Sequence, residues 1–409
     1  MNELLNRCKV ASKELNKLDN DTINKMLLAI KESIDKNRKD IIKANELDIE
    51  VAKDIIKPQM IDRLRLNDKR IDGLCDSIAD IVNLPSYVGE IIEEFKRPNG
   101  LIIKKVRVPF GVIASIFEAR PNVCVDISVL CLKTKNACVL KGGKEAINTN
   151  IALVKAIKEA IKPFVNPDVV TLIESTDRKV TDELITKKEY IDLLIPRGSK
   201  KLIDYIVYNS KVPYIETGAG NCHLYIDKSA NLDMALNIAV NAKYQRPSVC
   251  NAIENILVHE DIKNEFLPIL KKKFDELGIE IRGTKEVKDI IDCNLATEED
   301  FYTEYNDYIV SIKCVKDVDE AIEHINTHST KHSESIITED LNSVQKFFNE
   351  VDSACLYHNA STRFTDGGCF GFGAEIGITT AKLHSRGPMG LKEITTYKYI
   401  IEGNGQVRE

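Results

Sequence analysis

Short apolar strands alternating with helices through most of the chain predict an α/β fold built on an open, mostly parallel sheet. From Phe110 onward the runs GVIASIF, ACVLKGG, VVTLI and YIDLLIPRG are separated by helical stretches, the pattern of crossover connections between parallel strands. A second alternating region runs from NAIENILVHE to about residue 384, so the 409 residues divide into more than one domain.

The elements follow in order. Residues 1 to about 90 read as helical, because Ile23, Met26, Leu27, Ile30 and Ile34 recur at steps of three and four with charged residues opposite. In EIIEEFKRPNGLIIKKVRVPFG the period changes to that of two extended arms. Asn99 and Gly100, between them, suit the positive φ angles of a tight hairpin, which is expected to project from the body. Strand GVIASIF leads to a helix through Val125 to Leu132. ACVLKGG leads to a helix from Asn148 to Lys162, and VVTLI and YIDLLIPRG precede a helix after Ser199. VPYIETG is expected as a further strand and HLYID closes the series; the helix NLDMALNIAVNAKYQ then delivers the chain to Cys250. Strands at YIVSIKCV, SESIIT and SACLYHN follow, with helices between them. The tail TTYKYIIEGNGQVRE reads as one late strand placed to pair outside its own domain.

Composition narrows the function. The 57 basic and 63 acidic residues leave a net charge of −6 without long blocks of one sign, which argues against nucleic acid as the main partner. No run approaches the length of a membrane span, and the N-terminus lacks the apolar core of a secretory signal. Eleven scattered cysteines without a CxxC pair point to a reduced, cytoplasmic chain in which most thiols are small buried hydrophobes.

Three segments imitate sites. TGAGN and FGFGAEIG are glycine-rich, but neither is GxGxxG between a strand and a helix, so they read as tight turns. HINTHSTKH spaces His324, His328 and His332 at helical steps. Asn, Thr and Ser interrupt it and no HExxH carboxylate accompanies it, so it reads as a solvated helix end and no metal is expected.

The informative set is Cys250 in YQRPSVCNAIE, Glu216 in VPYIETGAGN 34 positions earlier, and Asn122 in VPFGVIASIFEARPNV. With these, LKGGKEAINTN, IPRGSKKLI, STKHSESIIT, NASTRFTDGG and FGFGAEIGITTAKLHSRGPMGL, the chain resembles the aldehyde dehydrogenase superfamily over nearly its whole length. The resemblance is greatest to members that reduce the acyl phosphate of glutamate. It implies NADPH-dependent reduction of L-glutamyl 5-phosphate to L-glutamate 5-semialdehyde and phosphate, on the route to proline. A separate glutamate 5-kinase would supply the substrate.

Reduction of an acyl phosphate can pass through a thioester, and by resemblance Cys250 is its nucleophile. A thiol needs nearby positive charge to ionise at neutral pH. Arg246 is one candidate for that charge and for substrate binding; an ordinary loop salt bridge is the alternative. The resemblance gives the Asn122 amide and the Cys250 N–H as oxyanion donors, with a turn role for Asn122 after Pro121 as the other reading. It gives Glu216 a catalytic position with an open role: hydrolytic base in relatives that oxidise aldehydes, cofactor positioning or loop shaping in a reductase.

For the cofactor, Lys141 falls where relatives hold the adenosine ribose. Lys144 stands where NAD-using relatives often carry an acid, which suits the 2′-phosphate of NADP. Gly198 and Ser199 match the turn facing the pyrophosphate, and Glu304 the residue holding the nicotinamide ribose. Arg363, followed by Arg386, is the candidate for the substrate α-carboxylate.

The resemblance implies a cofactor domain over 1–90 and 110–222 and a catalytic domain over 223–384. An oligomerisation element over 91–109 and 385–409 makes a homodimer or higher assembly the expectation. Two other readings stay open: an aldehyde dehydrogenase with Glu216 as hydrolytic base, and a catalytically idle relative that survives as a binding oligomer.

Overall fold

The computed structural model describes residues 1–54, 56, 58–373 and 375–408; Ala374 of the FGFGAEIG motif lies outside the described residues. The chain divides into two compact units, one of Met1–Glu216, Gly371–Gly377 and Met389–Glu409, the other of Thr217–Phe370 and Ile378–Pro388.

The first unit opens with helices α1 (Asn2–Leu15), α2 (Asn20–Lys36), α3 (Arg38–Ala52), α4 (Pro58–Leu64) and α5 (Asp68–Asn83). Asp19 and Asn67 cap α2 and α5, accepting from the N–H groups of Thr22 and Arg70. The stripe Ile23, Met26, Leu27, Ile30 and Ile34 is buried, each side chain contributing about 1.5–3 kcal/mol of transfer free energy. Strands β1 (Ile91–Lys96) and β2 (Ile102–Pro109) pair antiparallel around Gly100, whose φ of 90° is the conformation its lack of a Cβ permits. The C-terminal strand Thr395–Glu402 pairs antiparallel with β2.

After this hairpin come β3 (Val112–Phe117), α6 (Asn122–Lys133), β4 (Ala137–Gly142), α7 (Ile147–Ile161), β5 (Val170–Leu172), α8 (Arg178–Leu184), β6 (Leu193–Arg197) and α9 (Lys200–Asn209). The strands form a parallel sheet in the order β5-β4-β3-β6. Every residue of β3 and β4 is buried, as expected for central parallel strands covered on both faces. VPYIETG does not extend this sheet as a regular strand. Among the described residues it makes only two isolated bridges, Leu194 to Tyr214 and Thr217 to Thr379, and Pro213 has no N–H to donate to a ladder. α6 also starts three residues earlier than its apolar pattern suggested, with Pro121 at its N-cap and Asn122 already helical.

The second unit runs β7 (Cys222–Ile226), α10 (Leu232–Tyr244), β8 (Ile253–His259), α11 (Lys263–Glu276), β9 (Glu280–Gly283), α12 (Lys285–Lys288), β10 (Asn294–Leu295), β11 (Ile309–Val315), α13 (Val318–His328), β12 (Ser333–Ile337), α14 (Leu341–Glu350) and β13 (Cys355–His358). Its sheet has the order β10-β9-β11-β8-β7-β12-β13. HLYID therefore does not close the first sheet: as β7 it lies between β8 and β12 of the second.

The histidine segment is not a solvated helix end. α13 ends at His328, but His324 is 4% exposed and His332 fully buried. His324 stacks on His328 and meets Phe301 edge-on, so burial and the neighbouring imidazoles pull its pKa down to about 2 and keep it neutral. Polar Asn, Thr and Ser in the segment masked an apolar-facing ring cluster. Among the described residues no group of His, Cys, Asp and Glu is arranged to hold a metal, and no helix is long and apolar enough to cross a membrane.

Candidate active site

In the second unit, Cys250 sits on the turn that joins α10 to β8. Seven of the eleven cysteines are buried, and burial pushes Cys8 and Cys314 up to about 12, which keeps them protonated. Cys250 is only partly buried, so it departs from the filler role that most of the others have.

The backbone around the thiol is anchored on several sides. The Cys222 thiol donates to the Cys250 carbonyl at 3.2 Å. Gly220 lies so close that a Cβ there would overlap the same carbonyl, which is why the TGAGN segment carries glycine at this position. The N–H of Gly220 donates to Glu304 Oε1 at 2.8 Å. Buried Asn251 donates to the Thr365 carbonyl at 2.7 Å, and Thr362 Oγ1 donates to the Asn251 carbonyl at 2.7 Å. These bonds hold the residue next to the thiol as part of the core.

The three candidate arginines differ in their surroundings. Arg363 donates from Nε to Gln245 Oε1 at 3.0 Å and from Nη1 to Asn251 Oδ1, spanning the turn that carries Cys250. Burial pulls its pKa down, the Arg246 guanidinium adds to this, and Cys250, Asp366 and Cys369 act in the opposite sense. Arg246 and Arg363 thus concentrate positive charge beside the thiol. Arg386 is engaged elsewhere: it donates to Asp352 Oδ1 at 2.9 Å and to the Asp352 carbonyl at 3.1 Å. Lys331 and Lys382 share that carboxylate, and the three cations hold Asp352 well below the usual carboxylate range.

In the first unit, Asn122 occupies the first helical position of α6, and its Nδ2 donates to Asp126 Oδ2 at 2.9 Å. Lys141 lies in β4, 5% exposed, donating to the Gly142 carbonyl at 3.0 Å; burial pulls its pKa down while Glu145 and Asp177 act against this. Lys144 is exposed at the start of a short 3-10 turn. Gly198 follows β6, and Ser199 caps α9, accepting from the Leu202 N–H. A Cβ at Gly143 or Gly198 would run into the carboxylates of Glu145 or Glu118, which lie against both turns. Glu216, partly buried, is the last residue of this unit's main segment.

Sequence reasoning missed several partners. Glu118 accepts from the Ser199 N–H at 2.8 Å, placing a carboxylate at the start of the helix assigned to the pyrophosphate. Glu145 accepts from the Ala119 N–H at 2.6 Å. Lys243, at the end of α10, and Glu254, in β8, form a completely buried ion pair across the Cys250 turn. Each lies within a motif quoted above, but a charged residue in a motif carries no sign that its partner is buried.

Each of the two units is built on a parallel sheet, and the second carries a partly buried thiol on an anchored turn. The sequence profile of the aldehyde dehydrogenase family matches residues 1–288 and 301–400. Over 410 residues the chain is 53% identical to the γ-glutamyl phosphate reductase of Dictyoglomus turgidum, covering 100% of this chain and 99% of that one. It is 51% identical over 413 residues to the protein of the same name from Clostridium perfringens strain ATCC 13124, with both chains covered completely. The crystal structure of γ-glutamyl phosphate reductase from Thermotoga maritima superposes with a TM-score of 0.95 at 47% identity, covering 100% of this chain and 99% of that one. The chain belongs to the aldehyde dehydrogenase family, on its γ-glutamyl phosphate reductase branch.

Proposed function

We propose that the protein reduces L-glutamyl 5-phosphate to L-glutamate 5-semialdehyde with NADPH, releasing phosphate through a thioester on Cys250. The observation that carries this reading is the partly exposed Cys250 on its anchored turn, in a chain matched end to end by relatives named for that reaction. The test is the reverse reaction with and without phosphate.

Cys250 as thiolate attacks the acyl carbon; its sulfur forms the C–S bond as the phosphate oxygen leaves with the C–O pair. Arg246 and Arg363 favour the thiolate, since a cation beside a thiol lowers its pKa. The Asn122 amide and the Cys250 N–H are the donors assigned to the tetrahedral oxyanion in this reading. The nicotinamide, when bound, supplies the hydride that brings the thioester carbon to the aldehyde level. Collapse then returns the sulfur to Cys250 as thiolate. Glu216 orders the loop or the cofactor in this scheme, because activating water would drain the thioester to glutamate.

The first unit is the cofactor unit in this reading. Its buried Lys141 ammonium fits a dinucleotide's ribose, and the Gly198–Ser199 turn would take the pyrophosphate once the Glu118 carboxylate gives up the Ser199 N–H. Lys144, exposed beside Gly143, meets the 2′-phosphate, and Glu304 in the second unit serves the nicotinamide ribose. Lys144→Glu is expected to lower kcat/KM for NADPH about 10–100-fold while leaving NADH within a few-fold. Steady-state kinetics with both cofactors check this, and an unchanged NADPH preference would remove Lys144 from the site. The three-stranded sheet of β1, β2 and the C-terminal strand, with open edges, serves subunit pairing.

Arg363 takes the substrate α-carboxylate in preference to Arg386, whose guanidinium is engaged by Asp352. Arg363→Ala is expected to raise KM for glutamate 5-semialdehyde about 10-fold or more, and Arg386→Ala to change it less than about 3-fold. Equal KM values for wild type and Arg363→Ala would reverse the assignment.

A further inference from the structure

Asn122 and Asp126 lie one turn apart on α6, with Asn122 Nδ2 donating to Asp126 Oδ2 at 2.9 Å. An amide can face a neighbour with either its oxygen or its NH2 group, and the two orientations differ little in shape. An ionised carboxylate only accepts. It therefore selects the orientation in which the NH2 group is turned toward it and rejects the flipped one.

We propose that Asp126 is the positioning residue for the Asn122 amide, holding one N–H of Nδ2 so that the second is presented to the oxyanion. The inference rests on the reading of Asn122 as an oxyanion donor. Asp126 acts only through Asn122 and touches no reacting atom.

The surroundings of Asp126 favour this role over a purely structural one. Asp126 is partly buried on a helix packed against the core, where desolvating a carboxylate is costly, and the hydrogen bond to Asn122 offsets part of that cost. Two further charged groups act on it: Arg197, at the end of β6, favours the ionised form, and Glu375 opposes it. Burial is the largest influence and raises its pKa to about 6. Above that value the carboxylate enforces the amide orientation. As pH falls through it, the protonated group gains an O–H that can donate to the amide oxygen, and the flipped amide becomes acceptable.

Asp126→Asn keeps the volume and removes the enforcement, because the new amide can present either end. The expected result is a fall in kcat of about 10–100-fold in the reverse assay, with KM for both substrates within about 2-fold. Asn122→Ala should lose at least as much, and the Asn122→Ala/Asp126→Asn double variant no more than Asn122→Ala alone. Wild-type kcat should show an acid limb near pH 6 that is absent from Asp126→Asn.

A kcat unchanged in Asp126→Asn while Asn122→Ala is impaired would overturn the proposal and leave the reading of Asn122 intact. Full activity of Asn122→Ala would remove that reading and the proposal with it. A rise confined to KM for glutamate 5-semialdehyde would make Asp126 a binder of the substrate ammonium, overturning the positioning role. Should Asp126→Asn fail to fold, Asp126→Ala serves in its place: a kcat equal to wild type overturns the proposal.

Discussion

Cys250→Ser is expected to abolish NADPH formation from glutamate 5-semialdehyde, NADP+ and phosphate, with a loss of about 10⁴-fold or more in kcat. A hydroxyl at that position is essentially un-ionised at neutral pH and is a far poorer leaving group from the tetrahedral intermediate than a thiolate. The wild-type enzyme without phosphate should give at most one equivalent of NADPH per site. The thioester then has no acyl acceptor, and turnover should resume when phosphate is added. The measurement is absorbance of NADPH in rapid-mix and steady-state modes. Continuous turnover without phosphate would mean that water resolves the thioester. Glu216 would then be the hydrolytic base, and an aldehyde-oxidising dehydrogenase would be the better description.

Lys243→Met is expected to destabilise the second unit by about 3–5 kcal/mol, because it leaves Glu254 without its cation in a completely buried position. Burial pushes the Glu254 carboxyl up and the Lys243 ammonium down; in each case the partner's charge acts in the opposite direction. Part of the loss is recovered if Glu254 takes up a proton, so the deficit should grow as pH rises from about 6 to 9. Replacing both partners, Lys243→Met with Glu254→Leu, should restore much of the stability, since an apolar pair of similar volume needs no desolvation of charge. Urea titrations of wild type, both single variants and the double variant measure this. A Lys243→Met curve within about 1 kcal/mol of wild type would show that Glu254 is not left as an unpaired buried charge. Because the two residues bracket the turn that carries Cys250, the single variants should also lose activity before they unfold.

The boundaries of many elements were legible because burial imposes its period on the residues. β3 and β4 are apolar runs interrupted only by Ser115 in β3 and by Lys141 near the end of β4, and α2 repeats its stripe at helical spacing. The candidate thiol was legible too, as a cysteine between a polar turn and a strand. VPYIETG looked like a strand because its side chains alternate, yet strand formation depends on N–H groups, and Pro213 lacks one. HLYID is a short buried run whose pattern would suit either sheet, and only its pairing partners decide which one it joins.

The sequence by itself determined the α/β class, the helical opening, the hairpin at Asn99 and Gly100, and the candidate thiol. These follow from local periods, turn chemistry and motifs, which neighbours along the chain suffice to specify. Tertiary structure alone decided that Lys243 faces Glu254, that His324 is buried, that Gly220 touches the Cys250 carbonyl, and that Arg386 is tied to Asp352 while Arg363 spans the thiol turn. A charge or an imidazole has the same letter whether solvated or enclosed. Its ionisation, availability and role depend on groups that the fold brings from 11 to more than 100 positions away.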